Sequence, residues 1–95
     1  MGMEYRIDFT PVVTAVVDRL LRLSSHFSQT IEFNGGTNYE YRLSSNTESM
    51  PNADASIQPY GIYFCDFGNA REIMEGIARN VGDQIETPSI SELEP

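Results

Sequence analysis

Ninety-five residues, 40% of them apolar, are enough for one domain with a modest core and argue against two. A formal charge of −8, from fourteen acids against six arginines and no lysine, disfavours a nonspecific electrostatic grip on nucleic acid or on an anionic membrane. The missing lysine excludes lysine Schiff bases and phosphate-loop lysines, and no apolar stretch approaches the roughly 20 residues that cross a bilayer.

Met3, Tyr5, Ile7 and Phe9 alternate with Glu4, Arg6 and Asp8, the period of a strand with one buried and one wet face. Thr10 then offers a capping hydroxyl and Pro11 suits a first helical position, so a helix is expected from Pro11 to about Ser24. At ~100° per residue, Val12, Val13, Val16, Val17, Leu20, Leu21 and Leu23 occupy about half its circumference. Such a helix lies on a sheet and is held by packing, since valine has mediocre helix propensity.

Ile31 and Phe33, then Tyr39, Tyr41 and Leu43, mark two further strands joined through Gly35-Gly36-Thr37-Asn38 as a hairpin. Residues 44 to 56 are polar and turn-rich and predict a long, mobile surface loop. In Tyr60 to Phe67 both alternating sets are apolar, which predicts a strand covered on both faces. After Gly68, Asn69 is the expected cap of a second helix, with Glu72 reaching back to it. Ala70, Ile73, Met74, Ile77, Ala78 and Val81 form its apolar stripe, and Gly82 its stop. Arg71, Glu75 and Arg79 stand four apart on its wet side and can pair there. Gln84 to Thr87 has the makings of a short last strand.

Asp83, Glu86, Glu92 and Glu94 place half of the net charge after Gly82, so residues 88–95 read as an acidic tail on a single domain of residues 1–87. The expected fold is an α+β two-layer sandwich, with two helices on one face of a mainly antiparallel sheet of four or five strands. Its order is β-α-β-β-β-α with an optional short final strand, a variant of the ferredoxin-like plait.

Helices on one face leave the other face to Glu4, Arg6, Asp8, Glu32, Glu40 and Arg42, with Tyr63, Cys65 and Phe67 among them. Aromatic groups set among charges and arginine are typical of protein interfaces, so Arg6, Glu32, Arg42, Tyr63, Cys65 and Phe67 form the candidate interaction surface. The competing expectation is that the tail or the long loop folds over this strip. Catalytic chemistry has little to work with. Cys65 and His26 are the one thiol and imidazole, Asp66 points away from its strand neighbour Cys65, and no ligand spacing for a metal is visible. No catalytic, metal or cofactor residue is assigned.

A protein-binding or regulatory module acting through a sheet face, self-association included, is therefore the leading expectation. One alternative is a small-ligand or catalytic domain, with its site between the long loop, Tyr39 or Tyr41, and Asp66. The other is an acidic inhibitor of the immunity type. A lone cysteine and a start without a leader pattern suggest the cytoplasm and no membrane role.

Overall fold

The computed structural model describes residues 2–94. The first alternating segment is strand β1 (Met3–Asp8), with Ile7 fully buried. Its ladder runs on one residue, because the Phe9 N–H donates to the Tyr60 carbonyl at 3.1 Å. Helix α1 (Thr14–Leu23) starts three residues later than Pro11. Thr10 does not cap it, since both its N–H and its hydroxyl point at Glu86 Oε2, at 2.8 and 3.4 Å. The Val13 carbonyl instead receives the first helical N–H groups, those of Val16 and Val17. Val17, Leu20 and Leu21 are buried, whereas Val13, Val16 and Leu23 remain exposed along one side of the helix. Ser24 ends α1 by donating to the Leu20 carbonyl and accepting from Asn80 Nδ2, which ties the two helices together.

His26, at φ 71°, turns the chain into β2 (Phe27–Phe33), which pairs with β3 (Gly36–Tyr41). Asn34 and Gly35 both have positive φ, as the two-residue turns matched to strand twist require. Strand β4 (Ala53–Gln58) lies at the end of the segment expected as a loop, and Ala53 and Ala55 are fully buried in it. Strand β5 (Gly61–Asp66) puts Ile62 and Phe64 in the core, but the cover expected on both of its faces is not found among the described residues: both helices lie on one side, and Tyr63 on the other is half-buried. Only glycine fits at position 61. Its φ is 145°, and a Cβ there would collide with the Ile7 carbonyl oxygen.

Helix α2 (Arg71–Gln84) buries Ile73, Met74, Ile77 and Val81, as its stripe predicts. Its start differs from expectation. Asn69 sits at φ 59°, and Asp66 Oδ1 accepts from the N–H groups of Gly68 and Ala70, at 2.7 and 3.3 Å. Arg71 pairs with Glu75 on the wet side at 3.2 Å. Ser89–Glu92, within the stretch expected as a tail, forms β6 on the outer side of β1, and the Leu93 N–H continues the ladder to the Glu4 carbonyl.

Among the described residues, two helices thus pack on one face of a six-stranded, fully antiparallel open sheet of order β2-β3-β4-β5-β1-β6. The four or five strands expected, and the ferredoxin-like variant they suggested, give way to this order because β4 and β6 were hidden in polar sequence. The strand directions make β1 and β2 parallel with three strands between them, so α1 crosses β5, β4 and β3. Small Ala53 and Ala55 let the helix approach β4, and the Tyr41 hydroxyl anchors it by donating to the Leu21 carbonyl at 2.6 Å. No helix of the described residues is long and apolar enough to cross a membrane.

Candidate interaction surface

Because Ile7, Tyr39, Tyr41, Ala53, Ala55, Ile62 and Phe64 point toward the helices, their strand neighbours point to the open face. At its centre Tyr63 lies opposite Arg6 on β1 and Ser56 on β4. The Arg6 guanidinium is already engaged: it forms two bonds to Asp8, at 2.7 and 3.0 Å, and stacks 3.8 Å over the Tyr60 ring. That contact raises the Arg6 pKa and holds the Asp8 carboxyl below its ordinary value. Burial, and then neighbouring Glu4, push the Tyr63 hydroxyl upward.

Cys65 is only 7% exposed, lies opposite Glu4 and Asp54, and has Gly2 packed against its sulfur. A Cβ on Gly2 would stand 2.6 Å from Sγ, so this close cover depends on glycine. Burial first, and then the Asp54 carboxylate, raise the thiol pKa. Asp54 is itself raised by burial, against the pull of an Asn38 amide donating at 3.1 Å. An activated thiolate needs the opposite surroundings, a nearby cation or helix N-terminus. His26 lies elsewhere, in a cleft with Glu72, Glu75 and Arg79. Among the described residues no cluster of three or more metal-ligating side chains forms.

The six candidate surface residues do not converge. Arg6, Tyr63 and Cys65 share the open face, whereas Glu32 points to the helix side of β2, where it accepts from the Thr37 hydroxyl at 3.0 Å. Arg42 has a building role: its guanidinium donates to the carbonyls of Glu48 and Ser49, at 2.7 and 2.6 Å, and folds the segment between β3 and β4 around itself. Asn52 closes the same segment. Its Oδ1 accepts from the Leu43 N–H and from Asn46 Nδ2, and its Nδ2 donates to the Gly68 carbonyl. Phe67 joins Leu43, Met50 and Pro51 as the apolar lining of a cavity of about 390 Å³ under this loop. The segment expected as a mobile loop is therefore braced by side-chain amides, and the Asn46 and Asn52 amides that line the cavity are spent on that brace.

Sequence reasoning missed the most exposed apolar residues of the open face. Ile31 is 41% and Phe33 69% exposed, at the end of the sheet formed by β2. Parity explains them. A two-residue turn at Asn34-Gly35 pairs Phe33 with Gly36 and Ile31 with Asn38, odd numbers with even. Once Tyr39 and Tyr41 face the helices, Ile31 and Phe33 must face away. A β-bulge between Phe27 and Gln29 then restores Phe27 to the helix side, opposite Tyr41. The Asn-Gly dipeptide was the available signal, because it specifies the turn length on which the facing depends.

The tail does not lie over the open face, since β6 extends the sheet edgewise beside β1. Comparison with known protein families, with curated proteins and with solved structures finds no match, so the chemistry of this surface is read from its own residues.

Proposed function

We propose that this chain is a small cytoplasmic protein-binding module that acts through the open sheet face at its β2 end. One observation carries the reading: Phe33 leaves more than two thirds of its surface in water beside Ile31, on an edge strand without a described neighbour. Large aromatic groups are costly to hydrate and are enriched in the buried centres of protein interfaces. Catalysis finds less support, because the thiol is covered and raised, the imidazole lies in another cleft, and the two asparagine amides of the loop cavity, those of Asn46 and Asn52, bond to each other.

The surrounding polar groups supply a rim. Gln29 donates to Glu40, and Asn38 to Asp54, so the face beside Ile31 is hydrogen-bonded and shaped before any partner arrives. The test is affinity capture from the native cell lysate with the unaltered chain, with Phe33→Glu, and with Leu23→Glu on the exposed side of α1. The reading expects a protein that is retained by the unaltered chain and by Leu23→Glu and lost with Phe33→Glu. Capture that ignores Phe33→Glu, or that Leu23→Glu alone abolishes, overturns it.

A further inference from the structure

We infer that the β2 edge binds a second copy of this chain, by antiparallel β2–β2′ pairing with Ile31 facing Ile31′ across a two-fold axis; this rests on the binding-module reading above.

The two edges of the sheet are β2 and β6. Natural edges are guarded by charge, proline, shortness or bulges. Strand β6 has four residues, ends on Glu92 and is followed by Glu94, so two copies brought together there repel. Strand β2 has seven residues with Glu32 as its one charge, and its bulge lies at the far end from Ile31 and Phe33.

Hydrogen-bond alternation decides which groups are available. Phe33 and Gly36 flank the two-residue turn and exchange bonds across it, and two residues further on Ile31 and Asn38 do the same. Thr30 and Glu32 therefore direct their N–H and C=O groups to the open side. A second β2 strand can use them only in registers that pair even residues with even. Three such registers keep the apolar residues overlapped.

Centring on Glu32 sets Glu32 against Glu32′ in a chain already at −8, and like charges directly opposite destabilise a pair. Centring on Thr30 sets Glu32 against Ser28′, inside the bulge, where the ladder is disrupted. Centring on Ile31 places each Glu32 opposite Thr30′, the same carboxylate-to-threonine chemistry that Glu32 already makes with Thr37. The same register brings Ile31 onto Ile31′ at a close, non-hydrogen-bonded position, and Phe33 beside Gln29′. Both copies of Ile31 and Phe33 then form one apolar strip on the open face of a continuous twelve-stranded sheet. Such a contact is isologous and closes on itself.

Sedimentation velocity over a concentration series, with cysteine cross-linking in a Cys65→Ser background, tests this. The expected result is a reversible dimer that Phe33→Glu and Ile31→Glu each weaken by at least about tenfold. Ile31→Cys cross-links its dimer under mild oxidation, because facing Cβ atoms in such pairs are about 5 Å apart. Phe33→Cys does not, since this register separates the two sulfurs by roughly 14 Å along the strands. A strict monomer up to about 1 mM overturns the self-pairing. A dimer indifferent to both glutamate variants, or one cross-linked at position 33 and not at 31, overturns it equally. In any of these cases the capture experiment with Phe33→Glu still decides the binding-module reading by itself.

Discussion

Replacing Phe33 by alanine tests the facing of β2. If Phe33 lies on the open face, folding removes only about a third of its surface from water. An aromatic side chain that buries 150–250 Å² when fully enclosed then hides about 60 Å², on the order of 1.5 kcal/mol at ~25 cal/mol per Å². That figure is an upper bound, because the unfolded chain is not fully extended. Had Phe33 joined Tyr39 and Tyr41 under α1, as simple alternation suggests, its loss would cost about 3–5 kcal/mol. The assay is urea unfolding of Phe33→Ala beside Phe64→Ala, at a protein concentration low enough to exclude self-association. The expected losses are no more than about 1.5 kcal/mol for Phe33→Ala and about 3–5 kcal/mol for the fully buried Phe64. A loss above about 3 kcal/mol for Phe33→Ala would refute the parity reasoning and return β2 to the opposite facing.

Other substitutions probe what holds the scaffold. The buried Tyr39 hydroxyl donates to Asp18 at 2.5 Å, and this bond, more than Arg22, holds the Asp18 carboxyl below its ordinary value. A depressed carboxylate contributes stability above its unfolded pKa near 4 that is lost as pH falls through the folded value. Tyr39→Phe should cost about 1–2 kcal/mol at pH 7, discounted for the third of Asp18 that water reaches, and the penalty should shrink below about pH 4 in thermal unfolding. A penalty that grows on acidification contradicts the assignment. Asn52→Ala leaves the Leu43 N–H and the Gly68 carbonyl without their partners and should lower stability by about 1–3 kcal/mol. A neutral outcome in urea unfolding would show that the loop needs no such brace. For Cys65, whose thiol is raised by burial, alkylation near neutral pH should be slow in the folded chain and fast in denaturant. Rapid alkylation of the folded chain would reopen thiol chemistry.

Much of the scaffold was legible because burial follows large side chains. The alternation in Met3 to Phe9, the doubly apolar Tyr60 to Phe67 and the stripe from Ala70 to Val81 each led to the element observed. What escaped was carried by small or polar residues. Ala53, Asp54, Ala55 and Ser56 have low strand propensity, yet α1 approaches closely over the two alanines, so tertiary packing outweighs local preference. Ser89–Glu92 is a strand chiefly because β1 offers it a ladder, since all four of its residues stay exposed and Ile90 alone among them is a large apolar group.

Neither helix start followed the capping pattern expected of it, with Thr10 drawn to the distant Glu86 and the N–H groups before α2 drawn to Asp66 at the end of β5 rather than to Asn69. Of the candidate surface, Arg6, Tyr63 and Cys65 were placed on the correct face by alternation alone. Glu32, Ile31 and Phe33 exchanged faces with expectation because one turn residue more or less reverses an entire strand. Arg42 and Phe67 lie past the ends of β3 and β5, where alternation no longer governs direction and the loop claims them.

Amide hydrogen exchange, followed residue by residue with and without the bound partner, reads the β2 edge itself. If β2 is the binding edge, the N–H groups of Thr30 and Glu32, which point outward from the free edge of the sheet, become protected when the partner binds. Those on the free side of β6 remain unchanged. Protection that appears along β6 or over the loop at residues 44–52 while Thr30 and Glu32 exchange as before would contradict it.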